Sequence, residues 1–153
     1  MAAPTIQTCL WYADKAEAAA TLYCSLFPDA RISTVFRKQG TPDNGAFMVE
    51  FTLMGQSYAA MNGGPHYQLT PAASIVAHVD RQTEVDKLWD SLLEDGGVES
   101  RCGWLTDRYG LSWQIIPRAL PRLLQADTTG KVLQAMVGMV KIDVAALKAA
   151  AAG

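Results

Sequence analysis

The most regular alternation of hydrophobic and polar residues in the chain falls between residues 46 and 54. A period of two is typical of a strand with one buried face and one open face, so we predict a strand here. The face covered by a helix is expected to carry Phe47, Val49, Phe51 and Leu53. The open face is expected to carry Met48, Glu50, Thr52 and Met54.

Two other segments have the spacing of amphipathic helices. Residues 15–26 follow Asp14 and residues 80–94 begin at Asp80, and aspartate is a common N-cap. The expected buried positions of the first helix are Ala18, Leu22, Cys24 and Leu26. Those of the second helix are Val85, Leu88, Trp89 and Leu92.

β-Branched and aromatic residues between turn residues favour further strands. We predict them at residues 5–12, 31–38, 57–62, 73–79, 98–101, 102–106 and 111–116, with a loop at 39–45. Trp113 is expected to be a core anchor. Asp107 and Arg108 lie in the turn before the last strand, where a local or solvated ion pair is the simplest interpretation.

The order of one strand, one helix and three strands occurs twice. An offset of 66 residues places Asp14 on Asp80, Leu22 on Leu88, Tyr23 on Trp89, Ser25 on Ser91 and Leu26 on Leu92. Gly55 and Gly110 each lead into a similar strand and are 55 residues apart. The second half would be shorter if it lacked the long loop, so the pattern predicts a tandem duplication.

The chain after Pro117 is predicted to be helical. The expected helices are 119–125, 131–140 and 144–152, the last with Asp143 as its N-cap. One apolar stripe on the middle helix is typical of a core or a dimer contact, and it comprises Leu133, Met136, Val137 and Val140.

Charge and cysteine content narrow the classes of function. The formal net charge is -2 and lysine and arginine are not clustered, so no nucleic-acid partner is expected. The sequence has no recognisable secretory signal and no apolar run of about 20 residues, so no membrane partner is expected. Three widely spaced cysteines, Cys9, Cys24 and Cys102, predict reduced thiols in a cytoplasmic protein.

Several segments together resemble the PhnB-like family, which is often labelled as a 3-demethylubiquinone 3-methyltransferase domain. They are TCLWY (8–12), AEAAATLYCSLFPDARI (16–32), FTLMGQSYAAMNGGPHYQLTPAAS (51–74), EVDKLWDSL (84–92) and CGWLTDRYGLSWQIIP (102–117). The resemblance also extends into the tail, through KIDVAAL (141–147). The family is part of the vicinal oxygen chelate superfamily, which includes glyoxalase I and ring-cleaving dioxygenases.

The resemblance implies an α+β fold within a single glyoxalase-like domain, residues 1–153. Two tandem βαβββ modules, at about residues 5–62 and 73–117, would form a curved mixed sheet around a cavity. A helical tail, at about 118–153, would follow. Relatives commonly pair their modules, so the resemblance also implies a homodimer.

The superfamily holds a divalent metal through one residue in the first strand and one in the last strand of each module. The resemblance places these positions near Thr8, Ala59, Ser74 and Gln114, where active relatives carry His and Glu. Here they supply a methyl group, two hydroxyls and an amide. Such a set would hold a hard divalent metal poorly, so no metal and no other cofactor is expected.

The expected pocket is apolar with a few polar points, which is typical of a small-molecule site. Its predicted ligand-binding residues are Thr8, Leu10, Met48, Glu50, Asn62, Ser74, His78, Trp104 and Gln114. Glu50 and His78 are the candidates for a catalytic base. The plainer interpretations are an ion-paired or solvated Glu50 and a structural His78.

The first functional hypothesis is a metal-free protein that binds a small molecule. The alternatives are an isomerase or lyase, metal-independent or weakly metal-dependent, that uses Glu50 or His78 as base, and a non-catalytic module whose tail binds a partner. Methyl transfer is not expected. S-adenosylmethionine usually binds at a glycine-rich turn, and the helix starts near Asp14 and Asp80 lack one.

Overall fold

The computed structural model describes residues 1–39 and 45–153. They form two compact units, Met1–Leu69 and Thr70–Gly153. Each unit contains one strand, one helix and three strands in that order, and three further helices follow in the second unit. The predicted pair of βαβββ modules with a helical tail is confirmed. Most of the predicted loop at 39–45 lies outside the described residues.

The first unit is a four-stranded mixed sheet with one helix. Its elements are β1 (Thr8–Tyr12), α1 (Ala16–Leu26), β2 (Ala30–Arg37), β3 (Ala46–Leu53) and β4 (Gln56–Asn62). The strand order is β1-β4-β3-β2. Strands β1 and β4 are parallel, and the other neighbouring pairs are antiparallel.

The second unit repeats this arrangement with shorter outer strands. Its elements are β5 (Ser74–Val79), α2 (Gln82–Leu93), β6 (Val98–Glu99), β7 (Trp104–Thr106) and β8 (Ser112–Pro117), followed by α3 (Ala119–Ala126), α4 (Lys131–Val137) and α5 (Val144–Ala152). The strand order is β5-β8-β7-β6. Cys102 and Gly103 separate β6 from β7 because both have a positive φ, 57° and 83°, which a strand does not accommodate.

Helix α1 buries a different face from the one predicted. Its buried residues are Ala16, Ala19, Ala20 and Tyr23, which follow the helical spacing more closely than the predicted set. The predicted Ala18 is exposed, and Leu22, Cys24 and Leu26 are only partly buried. Small alanines suit this contact because the sheet beneath supplies large rings, Phe51 and Tyr58, stacked with centroids 5.3 Å apart.

The predicted N-cap of α1 is wrong. The N-cap residue is Lys15, and it makes no side-chain cap hydrogen bond. Instead, the backbone N–H of Ala16 donates to Oδ1 of Asn62 at 2.8 Å, while Nδ2 of Asn62 donates to the carbonyl of Ala46 at 2.8 Å. The end of β4 therefore fixes the beginnings of both α1 and β3.

Helix α2 buries the predicted residues, Val85, Leu88, Trp89 and Leu92. Asp80 is not its N-cap, because the helix begins one residue later with Arg81 in that position. The carboxylate of Glu84 accepts from the backbone N–H groups of Asp80 and Arg81, at 3.0 and 2.9 Å. A glutamate one turn into the helix thus does the capping.

Asp107 is a buried structural residue, contrary to the expectation of a surface pair with Arg108. Its Oδ1 accepts from the backbone of Tyr109 and Leu111, and its Oδ2 accepts from Nε1 of Trp113 at 2.9 Å. Arg108 pairs with Asp95 instead, at 3.0 Å. The turn and the core tryptophan are therefore held by one carboxylate.

The tail helices pack on the end of β8. A core cluster joins Ile116 to four tail residues, Leu120, Val132, Ile142 and Leu147. The predicted cap of α5 is confirmed, since Asp143 accepts from the backbone of Ala146 at 3.0 Å. Helix α4 ends at Val137 rather than 140. Of the predicted stripe only Met136 packs on this cluster, while Leu133, Val137 and Val140 are exposed.

Candidate functional site

The face of the first sheet opposite α1 carries two rows of side chains, defined by the strand register. We call it the first open face. One row is apolar and comprises Trp11, Met61, Met48 and Phe36. The other comprises Cys9, Ala59, Glu50 and Thr34. The predicted placement of Met48 and Glu50 on this face is confirmed.

Three of the predicted ligand-binding residues lie on the other side of this sheet. Thr8 pairs with Tyr58, Leu10 with Ala60 and Tyr12 with Asn62 across β1 and β4. Leu10 is only 6% exposed, and the hydroxyls of Tyr12 and Tyr23 lie 3.0 Å apart between β1 and α1. The prediction that Thr8, Leu10 and Asn62 share the face of Met48 and Glu50 is therefore wrong.

A one-residue difference between the two modules explains the error for β1. Tyr58 and Trp113 are equivalent core rings at the offset of 55, and their partners are Thr8 and Ile75. The offset between β1 and β5 is therefore 67, whereas the helices keep 66. Because side chains alternate along a strand, carrying the helical offset into β1 exchanges its two faces.

The second sheet also has a face away from its helix, which we call the second open face. Ser74 pairs with Ser112, Val76 and Trp104 pair with Gln114, and His78 pairs with Ile116. Four predicted ligand-binding residues therefore share this face: Ser74, His78, Trp104 and Gln114. Nε2 of Gln114 donates to Oγ of Ser74 at 2.9 Å. Their contact with a ligand stays a prediction.

Ser112 adds a polar group that the sequence did not single out as a ligand contact. It is 1% exposed, and its Oγ has no hydrogen-bond partner in the part of the chain that the structure describes. A buried hydroxyl without a partner costs about 1–3 kcal/mol. Its parity with Ser74 and Gln114 places it on the second open face.

The two candidate bases differ in their surroundings. Glu50 is partly buried between Ala59 and Thr34, and within residues 1–39 and 45–153 its carboxylate forms no ion pair. The simple expectation of an arginine partner is therefore not met. His78 is exposed near the end of β5, beside Ile116.

The positions equivalent to the superfamily's chelate do not form a metal site. With the corrected register, the paired positions on the open faces are Cys9 with Ala59 and Val76 with Gln114. One thiol, one amide and two hydrocarbon side chains are a poor set for a hard divalent cation. In addition, no cluster of three or more His, Cys, Asp or Glu with metal-binding geometry occurs among the described residues.

A cleft of about 490 Å³ lies at the end of the first sheet where β1 and β4 terminate. We call it the aromatic cleft. Its lining residues are Trp11, Lys38, Gly45, Ala46, Phe47, Met61, Asn62 and Gly63. Asn62 is the one predicted ligand-binding residue in it, and both ends of its amide are already engaged with the backbone.

Phe47 reaches this cleft because of an irregularity in β3. Arg37 pairs with Ala46 and Phe36 pairs with Met48, so Phe47 is the extra residue of a bulge. It is 49% exposed, although alternation predicted it to be covered by the helix. Bulges commonly redirect side chains next to binding sites, and no pattern in the sequence marks this one.

Trp11 is held rigidly beside the cleft. Its Nε1 donates to the carbonyl of Gly64 at 2.9 Å, and the ring of Tyr67 meets it edge-on with centroids 5.0 Å apart. A Cβ at Gly63 would lie 2.2 Å from Cζ2 of Trp11, so only glycine fits there. The segment NGGPH, predicted to be a turn or a mobile lip, is fastened to β1, since Gly63 donates to the carbonyl of Tyr12. The glycine pair in this segment was the available clue to Trp11.

A second cleft, of about 810 Å³, lies at the beginning of α1 and includes Arg37 and Glu17. Both nitrogens of the Arg37 guanidinium donate to Glu17, at 2.9 and 2.7 Å. The hydrogen bonds from Arg37 hold the pKa of Glu17 below its usual value. Because the cleft's arginine is satisfied by a carboxylate of the same cleft, we regard this pair as structural.

Comparison with known proteins gives a consistent family and fold. A family model described as 3-demethylubiquinone-9 3-methyltransferase matches residues 4–116. The helical tail lies outside that match, so the expected resemblance of residues 141–147 gains no support from it. A search of curated proteins gave no match. Among the described residues, no helix is both long enough and apolar enough to span a bilayer.

Solved structures similar to this chain include a PhnB protein from Bacillus cereus, described as a 3-demethylubiquinone-9 3-methyltransferase. It is 29% identical with a TM-score of 0.68, over 74% of this chain and 99% of that one. A Pseudomonas aeruginosa protein is 17% identical with a TM-score of 0.63, over 75% and 98%. The genomically encoded fosfomycin resistance protein of Listeria monocytogenes is 16% identical with a TM-score of 0.52, over 76% and 94%. The last two similarities concern the fold alone.

Proposed function

We propose that this chain, which belongs to the PhnB-like family described as 3-demethylubiquinone-9 3-methyltransferase within the vicinal oxygen chelate superfamily, binds a small organic molecule without a metal. The observation that supports the proposal is the donor set on its open faces. Cys9, Ala59, Val76 and Gln114 occupy the positions where a chelate would be expected. Binding must then depend on apolar contact and hydrogen bonds.

Both open faces offer such contacts. The first provides an apolar row with Trp11, Met48 and Met61 beside the Glu50 carboxylate. The second provides the linked Ser74 and Gln114 and the indole of Trp104. Apolar surface with a few placed polar groups is the usual composition of a small-molecule site.

The family's descriptive name does not carry methyl transfer over to this chain. Enzymes that bind S-adenosylmethionine at a glycine-rich strand-to-helix turn use a largely parallel sheet. Here each sheet has one parallel pair, and its other pairs are antiparallel. The turn before α1 is Ala13-Asp14-Lys15, with no glycine.

Native mass spectrometry of gently purified protein tests this proposal, because it reports subunit count, metal and retained ligand in one spectrum. We expect a mass equal to the chain, or the chain plus an organic molecule that dissociates on activation. A stoichiometric zinc, nickel, manganese or iron ion per chain would contradict the proposal.

A metal-independent isomerase or lyase is the second candidate. It is favoured by the partly buried Glu50 carboxylate, which forms no ion pair within the described residues and lies beside the apolar row. As a base, this carboxylate would remove a proton from a bound substrate. The test is Glu50→Gln with His78→Ala as the comparison: loss of turnover in a folded Glu50→Gln protein supports the candidate, and unchanged turnover contradicts it.

We further propose a homodimer located in the cytoplasm, with no nucleic-acid partner. The dimer is supported by the exposed apolar side chains of α4 and the segment after it, Leu133, Val137 and Val140. The location is supported by three free cysteines. The subunit count in the native spectrum tests the dimer, and a monomer at micromolar concentration would contradict it.

A further inference from the structure

The aromatic cleft has the size and the walls of a site for a flat ring. Its volume of about 490 Å³ falls within the range of small-molecule pockets. Trp11, Phe47 and Met61 provide two aromatic surfaces and a polarizable thioether, which all favour contact with another aromatic ring.

These walls are arranged before any ligand arrives. The Trp11 indole is fixed by its hydrogen bond to Gly64 and by the edge of Tyr67, and Gly63 leaves room for it. The bulge in β3 holds Phe47 outward at 49% exposure. A site that is already ordered loses less conformational entropy on binding, so an exposed and rigid aromatic wall favours affinity.

The charge at the cleft selects the polar part of the ligand. Lys38 is the one ionisable side chain among the described lining residues, and it is exposed at the end of β2. Glu50, the nearest acid on the first open face, lies one row away and does not line the cleft. A lysine at the edge of an aromatic wall attracts a carboxylate and repels an ammonium group.

We propose that the aromatic cleft binds a planar aromatic carboxylate, with its ring against Trp11 and Phe47 and its carboxylate toward Lys38. This inference rests on the proposed metal-free binding function and names the class of ligand for the first unit. It requires no covalent step, because the cleft only binds and orients the acid.

The test uses three probes that share one ring and differ in charge: 1-naphthoate, 1-naphthalenemethanol and 1-naphthylmethylammonium. Their affinities for the full chain are measured by isothermal titration at low ionic strength. We expect 1-naphthoate to bind most tightly and the ammonium compound most weakly. Added salt should weaken only the naphthoate, because screening acts on the contact with Lys38.

Variants locate the binding. Phe47→Leu keeps most of the side-chain volume and removes the ring, so it should weaken all probes about three- to tenfold. Lys38→Gln should weaken naphthoate alone, about two- to fivefold. Phe36→Ala is the matched control, since Phe36 is also half exposed on β2 but does not line the cleft. Its affinities should equal those of the unaltered protein.

Three results would overturn the inference. They are absence of naphthoate binding at millimolar concentration, equal or tighter binding of the ammonium probe, and equal weakening by Phe36→Ala and Phe47→Leu. These failures are distinguishable from failure of the proposed function, which depends on the metal content of the purified protein. Circular dichroism of each variant confirms that a loss of binding is not a loss of fold.

Discussion

Ser112 and Ser74 are neighbours on the second open face, but their hydroxyls have opposite surroundings. Oγ of Ser74 accepts a hydrogen bond from Gln114, whereas the buried Oγ of Ser112 has no partner within the described residues. A hydroxyl that has lost its water without gaining a partner lowers the stability of the folded state. Such a group is a candidate to bind a ligand atom or an ordered water.

The two serines give a matched pair of stability predictions. Ser112→Ala should raise the free energy of unfolding by about 1 kcal/mol, because it removes an unsatisfied hydroxyl with almost no change in volume. Ser74→Ala should lower it by about 0.5–1.5 kcal/mol, because Gln114 loses its partner. Urea unfolding monitored by tryptophan fluorescence measures both. A destabilised Ser112→Ala protein would show that this hydroxyl has a partner.

At the scale of elements, the sequence predicted the type and order of nearly every helix and strand, but it predicted faces less well. Alternation in β3 was clear, and Val49, Phe51 and Leu53 are buried as expected. The same rule failed at Phe47, because a bulge in β3 is a property of the pairing with β2 and leaves no local pattern.

The error in β1 had a different physical origin. Five residues with an exposed start, TCLWY, contain too little alternation to reveal which side is buried. The face was therefore inferred from the second module through an offset that holds for the helices alone. The pairing of Thr8 with Tyr58 supplies the missing information, and pairing between distant strands is not written in a local sequence pattern.

Gly63 is the element-scale residue with the sharpest prediction. Gly63→Ala places a methyl group within the Trp11 indole, so either the ring or the end of β4 must move. We expect a loss of about 1–3 kcal/mol in stability and a shift in tryptophan emission. Gly55→Ala is the control, because it has open space around it and only the cost of a positive φ of 84°. Equal emission spectra for the two variants would contradict the account of Trp11.

Helix α4 should respond to acid through Asp127. Its carboxylate accepts from the Thr129 hydroxyl and backbone and from the backbone of Val132, and the Thr129 hydroxyl makes the largest contribution to lowering the pKa of Asp127. A lowered folded-state pKa means that this stabilisation is complete above the usual value of 3.8 and is lost as pH falls through the folded value.

We therefore expect the Val132 amide to lose protection from hydrogen exchange below about pH 4, before global unfolding. Asp127→Asn should remove that pH dependence, while Asp143→Asn, at the cap of α5, should keep it. An Asp127→Asn protein with the original acid profile would show that another group controls α4.

At the scale of the whole molecule, the family fold is kept while the chemistry of its central positions is replaced. Two βαβββ units and the buried Trp113 follow from hydrophobic patterning and duplication, which is why the sequence predicted them. The aromatic cleft could not be predicted in this way. It depends on Phe47 turned outward by a bulge and on Trp11 fixed by a distant glycine pair.

The central claim is that the open faces bind organic molecules without a metal. Isothermal titration of chelator-treated protein with zinc, nickel and manganese tests it most directly. We predict no 1:1 binding tighter than millimolar, because Cys9, Ala59, Val76 and Gln114 lack the charged or imidazole ligands that such ions need. Micromolar 1:1 binding that disappears in Cys9→Ala or Gln114→Ala would contradict the account.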